Sequence, residues 1–358
     1  MTMAASTIVT KQLLLDLYGR GGAQTATIYL PTVSERTDAQ ERLAIRSKNA
    51  LRALEAQGGS DALVSVVGTA LAAVEHSDGT ALLLVADEAG IALQHSMVRP
   101  ISHPLTHVGP CPLLMPIIAA MQPDRKHLAV LLDRAGADLY LRVSVGAPIE
   151  TTTVEGDRDD IQKAHPGGWS NHRFPQAAEE AWEKNAKQVV EQMLANYSDV
   201  EQIIAGGETR MVGFLKEHIP ERLRPLVVVE ASRHADSDAF LDAADLALRD
   251  LAAGELAEEV RVMNDSIGMD MGAAGRDVLQ ALVSGRVEKL FVGNDSLEAD
   301  RVTAHFDFSQ NQVLTHGGVE APVTDGAIAL ATATGADVTV LPSTARGLVD
   351  GLAARYRH

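Results

Sequence analysis

The 358-residue chain is 46% hydrophobic and 22% charged, a balance that excludes a mainly disordered protein and allows two or three globular domains at ~100–200 residues each. Its formal charge of −17 excludes a general nucleic-acid coat, since sequence-independent affinity comes from Lys and Arg displacing counterions from phosphates. Any RNA contact therefore has to be local. The lone Cys111 rules out an intrachain disulfide and, as a small buried hydrophobe, fits a reducing cytoplasm.

At the N-terminus, "MTMAASTIVTKQLLLDLYG" breaks its apolar residues with Lys11 and Asp16, which is not the pattern of a secretion signal. The longest apolar run, "LLMPIIAAM" at 113–121, falls well short of the ~20 residues that span a bilayer. A soluble cytoplasmic protein is expected.

Strand propensity and a closing proline predict a strand over "TATIYLP" at 25–31, and "AQERLAIRSKNALRALEAQGG" predicts a helix stopped by Gly58 and Gly59. A helix at about 61–76 and strands over "ALLLVAD" and "GIALQHSM" follow, so that residues 1–122 read as an α/β domain. Next, "KHLAVLLDRAGADLYLRVSVG" predicts two strands around a turn at 134–137, and "PIETTTVEG" a third. In "PQAAEEAWEKNAKQVVEQMLANY", Ala178, Trp182, Ala186, Val189, Met193 and Tyr197 recur at helical spacing and predict one buried face. Pro175 suits the first turn of that helix, and the pairs Glu180 with Lys184 and Glu183 with Lys187 suit its wet side. A strand, a helix, another strand and an acidic helical stretch at about 237–263 complete a second domain over 123–263. The third, 264–358, reads as a helix in "GRDVLQALVSG", a strand in "VEKLFVGND", a helix in "APVTDGAIALATATG" and a final strand in "ADVTVLP". The fold class expected is α/β (α+β) in three domains.

The richest candidate site is the connection from Gly156 to Phe174, which contains "HPGGWSNHRF". A structureless connection longer than ~12–15 residues in a compact domain is usually functional or disordered. Gly167 and Gly168 allow close backbone approach, the Trp169 indole can stack on a base, and His165, His172 and Arg173 can meet phosphates. Two readings remain open from the residues alone: a recognition loop, or an ordinary loop pinned by Trp169 packing back on the domain.

That loop resembles the central domain of the archaeo-eukaryotic class-1 release factors and Pelota, in their bacterial branch. In that family two glycines are followed by glutamine, then serine and an Arg-Phe pair, ahead of a long charged helix. Gly167, Gly168, Ser170, Arg173 and Phe174 match, and Trp169 stands where the glutamine would be. "TIYLPTVSERTDAQERLAIRSKNALRALE" resembles the opening strand and basic helix of the bacterial relatives. "GRDVLQALVSGRVEKLFVGND" with "VTDGAIALATATGADVTVLP" resembles the third domain shared with ribosomal protein L7Ae. The resemblance implies an N-terminal domain facing the decoding centre, a ribonuclease-H-like central domain carrying the glycine loop, and an L7Ae-like C-terminal domain.

It also implies a function. The family's glutamine helps to place water against the ester of peptidyl-tRNA in the peptidyl-transferase centre. An indole has one N–H donor and no acceptor, and its bulk fills the space for water, so little or no peptide release is expected. The implied role is a non-enzymatic hibernation or translation-inhibiting factor in the aminoacyl site of the 70S ribosome, without a metal or cofactor. The loop would meet 23S rRNA through His165, Gly167, Gly168, Trp169, Ser170, His172 and Arg173. Arg36, Arg42, Arg46, Lys48 and Arg52 would meet the 16S decoding region, and elongation factor Tu is a candidate partner. The alternatives are a peptidyl-tRNA hydrolase or rescue factor, and a ribosome-independent metal hydrolase. The latter would use Asp133, where a ribonuclease-H-like sheet puts a metal-binding carboxylate, with Asp157, Asp159 and Asp160. Asp133 ahead of "RAGA" is also ordinary hairpin-turn chemistry.

Overall fold

The computed structural model describes residues 10–20, 24–32, 39–74, 80–97, 101, 103–143, 148–156, 173–223, 226–233, 237–294, 301–304, 306–307, 312–313 and 319–357; for 39, 173–178 and 301–321 it describes the backbone alone. The chain condenses into two compact units. One combines residues 1–122 with 254–358, and the other is the central segment 123–253.

In the first unit, α1 (Lys11–Gly19) is capped by Thr10, whose hydroxyl accepts the Leu13 N–H at 3.1 Å. This helix lies in the stretch read above only as lacking a signal. There follow β1 (Thr25–Pro31), α2 (Ala39–Ala56), α3 (Asp61–Ala72) with a Ser60 cap, β2 (Ala81–Asp87), β3 (Gly90–Met97), β4 (Leu105–Gly109) and α4 (Met115–Met121). The four strands form an antiparallel sheet in the order β3-β2-β1-β4. Alternation along β1 and β2 sends Ile28, Leu30, Leu82 and Leu84 into a core with Leu54, Leu63 and Val67 of α2 and α3. Tyr29, Leu83 and Val85 point the other way, into a core with Leu14, Leu17 and Tyr18 of α1 and Met115, Ile117 and Ile118 of α4. Two buried faces explain why β1 and β2 read as continuous apolar runs.

The central unit contains β5 (His127–Asp133), β6 (Gly136–Arg142), β7 (Glu150–Glu155), α5 (Arg173–Asn196), β8 (Gln202–Gly207), α6 (Thr209–His218), a 3₁₀ turn (Glu221–Leu223), β9 (Val227–Val229) and the first part of α7 (Ser237–Gly268). Its five strands are ordered β7-β6-β5-β8-β9, with β5, β6 and β7 antiparallel in turn and β8 and β9 parallel to β5. That order and those directions are the ribonuclease-H-like arrangement expected. On one face Leu128, Val130 and Leu132 pack under α5 and α6 with Ala186, Val189, Met193 and Tyr197; Trp182 packs against that cluster. Where its side chains are described, the predicted face of α5 is buried, apart from the half-buried Trp182. On the other face Ala129 and Leu131 meet Phe240, Ala244 and Leu248 of α7.

Beyond α7, which runs to Gly268 rather than ending near 263, come β10 (Gly272–Ala274), α8 (Asp277–Val283), β11 (Val287–Gly293), β12 (Arg301–Ala304), β13 (Phe306–Asp307), β14 (Gln312–Val313), β15 (Val319–Pro322), α9 (Val323–Ala333), β16 (Asp337–Leu341) and β17 (Leu352–Tyr356). β12 pairs with β15 and β13 with β14, while a four-stranded sheet runs β10-β17-β11-β16. The strand expected to be final, β16, is therefore followed by another, and β17 sits inside the sheet between β10 and β11. Val278, Leu282, Leu290, Ile328 and Leu330 share one continuous core with α1 and α4. The mixed α/β class is as expected. Among the described residues no helix is long and apolar enough to cross a membrane.

Candidate functional site

His165, Gly167, Gly168, Trp169, Ser170 and His172 lie outside the described residues, as do Arg36, Asp157, Asp159 and Asp160. Arg173 and Phe174 open α5, where only the backbone is described. What the structure shows of the loop is its base, the end of β7 and the packing of α5.

Glycine at position 156 is required by close approach, because a Cβ there would lie 2.4 Å from Nδ2 of Asn185. The Gly156 N–H donates to the Ala135 carbonyl at 2.7 Å. Asn185, only 1% exposed, donates from Nδ2 to the Arg134 carbonyl at 2.9 Å. The β5–β6 turn, the exit of β7 and the middle of α5 are thereby tied together. The Arg134 guanidinium lies 4.3 Å over the Trp182 ring, a cation–π contact. Glu208 accepts from Arg134 Nε at 2.7 and 2.9 Å, and this bond raises the guanidinium's pKa. Trp182 Nε1 is buried and among the described residues finds no hydrogen-bond partner.

Three ion pairs reinforce α5. Arg210 of α6 pairs with Glu179, His218 Nε2 meets Glu183 at 3.1 Å, and Lys187 reaches Glu183 at 2.8 Å, the predicted intrahelical pair. Lys187, then His218, hold the Glu183 carboxyl below its usual range. This arrangement braces a loop and brings no nucleophile and base together. Trp182 was legible as a core position, whereas Arg134, Asn185 and Glu208 carried no local signal, since they meet from three separate elements.

At the same sheet edge Asp133 Oδ1 accepts the Ala135 N–H at 2.8 Å, the side-chain turn that hairpin chemistry requires. It also accepts from Arg233 at 3.0 Å. Arg233 Nε and Nη2 reach the two oxygens of Asp138 at 2.8 and 3.1 Å. Arg233 holds the Asp138 carboxyl below its usual range, with help from the Thr153 hydroxyl. Asp133 is a turn and ion-pair residue.

On α2, Arg42, Lys48 and Arg52 are exposed, and Arg46 is half-buried, donating from Nη1 to the Pro31 carbonyl at 2.6 Å. At about 100° per residue, Arg42 and Arg46 form one row and Lys48 and Arg52 another, about 120° apart around the helix. Ile45, 54% exposed, lies between the rows. The predicted basic residues thus make a two-row face with one arginine partly committed to the fold.

Residues 126–273 match the family described as bacterial archaeo-eukaryotic release factor family 2. The matched segment takes in the whole central sheet, the loop base and α7. Among solved structures the chain is similar to an archaeal translation termination factor, aRF1, at 16% identity, covering 98% of this chain and 99% of that one with a TM-score of 0.25. It is also similar to an archaeal Pelota described as ribosome-bound with ABCE1, at 15% identity over 100% and 99% of the two chains with a TM-score of 0.39. A third is S. cerevisiae Dom34, described as a translation termination-like factor interacting with Hbs1, at 12% identity over 97% and 93% with a TM-score of 0.38. No curated protein matches the sequence.

Proposed function

We propose that the protein is a ribosome-binding factor that occupies the aminoacyl site of the 70S ribosome and inhibits translation without hydrolysing peptidyl-tRNA. The observation that carries this reading is a release-factor central segment, with a braced loop base, whose loop has Trp169 in place of the family's glutamine. The knot of Gly156, Ala135, Arg134 and Asn185 supports it, because a loop that reaches into a crowded RNA site needs a fixed stem. In this role the loop's Trp169, His172 and Arg173 meet 23S rRNA, and the two-row face of α2 meets 16S rRNA through Arg42, Lys48 and Arg52. Local contacts of this kind are compatible with a formal charge of −17, which disfavours binding elsewhere on RNA.

Peptide release from ribosomes loaded with labelled peptidyl-tRNA tests the non-hydrolytic part. The protein is expected to leave the ester intact; release above the rate without protein would establish the hydrolase alternative. Delivery by elongation factor Tu is part of the same proposal, and it predicts co-elution of the two proteins with GTP present. The pairing of Asp133 with Arg233 disfavours the metal hydrolase.

A further inference from the structure

Asp325, in the first turn of α9, is completely buried. Its Oδ1 accepts the backbone N–H of Leu114 at 2.6 Å and of Met115 at 3.2 Å, together with the Tyr18 hydroxyl at 3.1 Å. Its Oδ2 is buried and among the described residues finds no hydrogen-bond partner. One carboxyl thus fastens α1 and the start of α4, both from the N-terminal third of the chain, to a helix from the C-terminal third. The segment it grips is held from its other side as well: Leu113 N–H donates to Thr27 Oγ1 at 3.1 Å, and the Tyr29 hydroxyl donates to the Leu113 carbonyl at 2.9 Å. Around the carboxyl lie the shared core of α1, α4, α9 and β11 and the buried Cys111.

We propose that Asp325 is a proton-operated latch between the N-terminal and C-terminal parts of this unit, closed most tightly when its carboxyl is protonated. The titratable groups facing it are Tyr18 from α1 and Tyr29 from β1, neither of them a cation, and Cys111 interacts with Tyr18. Burial also holds both tyrosines above the usual phenol range, so they keep their protons through the acid range. The charges on α1 are occupied elsewhere, Lys11 with Asp337 and Asp16 with Gln12. α9 has no other ionisable residue than Asp325 itself. Burial, partly offset by the bonds from Leu114, Met115 and Tyr18, raises the carboxyl from 3.8 to about 6. An exposed carboxyl in the undocked form ionises from about pH 4, whereas the docked one stays protonated to about 6. Docking therefore weakens as pH rises through that interval, on the order of 100-fold in all, and is constant above it.

Cys111, the chain's single cysteine and 0% exposed, is a built-in reporter of opening. The rate of its reaction with 4,4′-dithiodipyridine in the intact protein, divided by the rate in the unfolded protein at the same pH, gives its protection. Protection is expected to fall on the order of 100-fold between about pH 4 and pH 6.5 and then level off. In Asp325→Asn it is expected to stay flat. Tyr18→Phe, which removes a donor to the carboxylate, is expected to move the fall to higher pH, and it keeps the test decisive if the asparagine variant does not fold. Protection in the wild type that does not change over this range, or the same fall in Asp325→Asn, overturns the latch.

Discussion

Asp138 in the central unit and Asp325 in the other are both carboxyls packed against a sheet, yet their surroundings move them in opposite directions. Asp138 sits at a rim, bonded to Arg233 and Thr153, and is held acidic. Asp325 faces two tyrosines and two backbone amides in a buried site, and is held closer to neutral. Burial alone does not decide a carboxyl's behaviour; whether a cation was folded in with it does. The rim site fixes the sheet edge from which the loop rises at all working pH values. The core site leaves the junction of the unit's N-terminal and C-terminal parts tightest in acid and weaker as pH rises toward neutral.

The contrast is broken most strongly at Asp325. Its folded pKa lies above its unfolded one, so its contribution is complete below about pH 4 and is lost as pH rises through about 6. The wild type should lose about 3 kcal/mol of stability from this group over that interval. In Asp325→Asn that loss should vanish from chemical-denaturation curves taken across the same range. At the rim, Arg233→Ala should cost about 2 kcal/mol at neutral pH, because it leaves Asp133 and Asp138 close together without a counter-charge. The sign at the rim is the reverse: with Asp138 depressed, the pair's stabilisation is complete above about pH 4 and is lost as pH falls further. The variant's deficit should therefore shrink in acid. Tyr18→Phe, losing one buried hydrogen bond, should cost about 1 kcal/mol in thermal or chemical unfolding. Smallest is Arg134→Ala, which removes an exposed stack on Trp182 and should lower stability least of the four variants. In a Trp169→Phe background, where Trp182 is the remaining tryptophan, Arg134→Ala should also shift the fluorescence; an unchanged spectrum would deny the stacking.

Which of these features the sequence revealed follows from how local they are. The face of α5 was readable because Trp182, Ala186, Val189, Met193 and Tyr197 repeat at helical spacing within one element. The Asp133 turn was readable from "DRAG" for the same reason. The rim cluster was not, because Arg233 is 95 and 100 positions from its partners. Asp325 carries no local signal, because its bonding partners are 211 and 307 positions away. β17 was missed because "LAARY" is alanine-rich and weakly strand-forming; pairing on both sides with β10 and β11 overrides that preference. β4 is five residues between prolines, too short to show alternation. The glycine loop was legible from composition and resemblance, while the residues that brace its stem come from β5, α5 and α6 and share no motif.

On the proposed function, the segment that matches the release-factor family serves to occupy the ribosome. That role is tested most directly by co-sedimentation of the intact protein with purified 70S ribosomes over a salt series. The account predicts pelleting at low salt that declines as salt rises, as phosphate contacts require, and a marked loss of pelleting in Trp169→Ala. A protein that stays in the supernatant even at the lowest salt would contradict it.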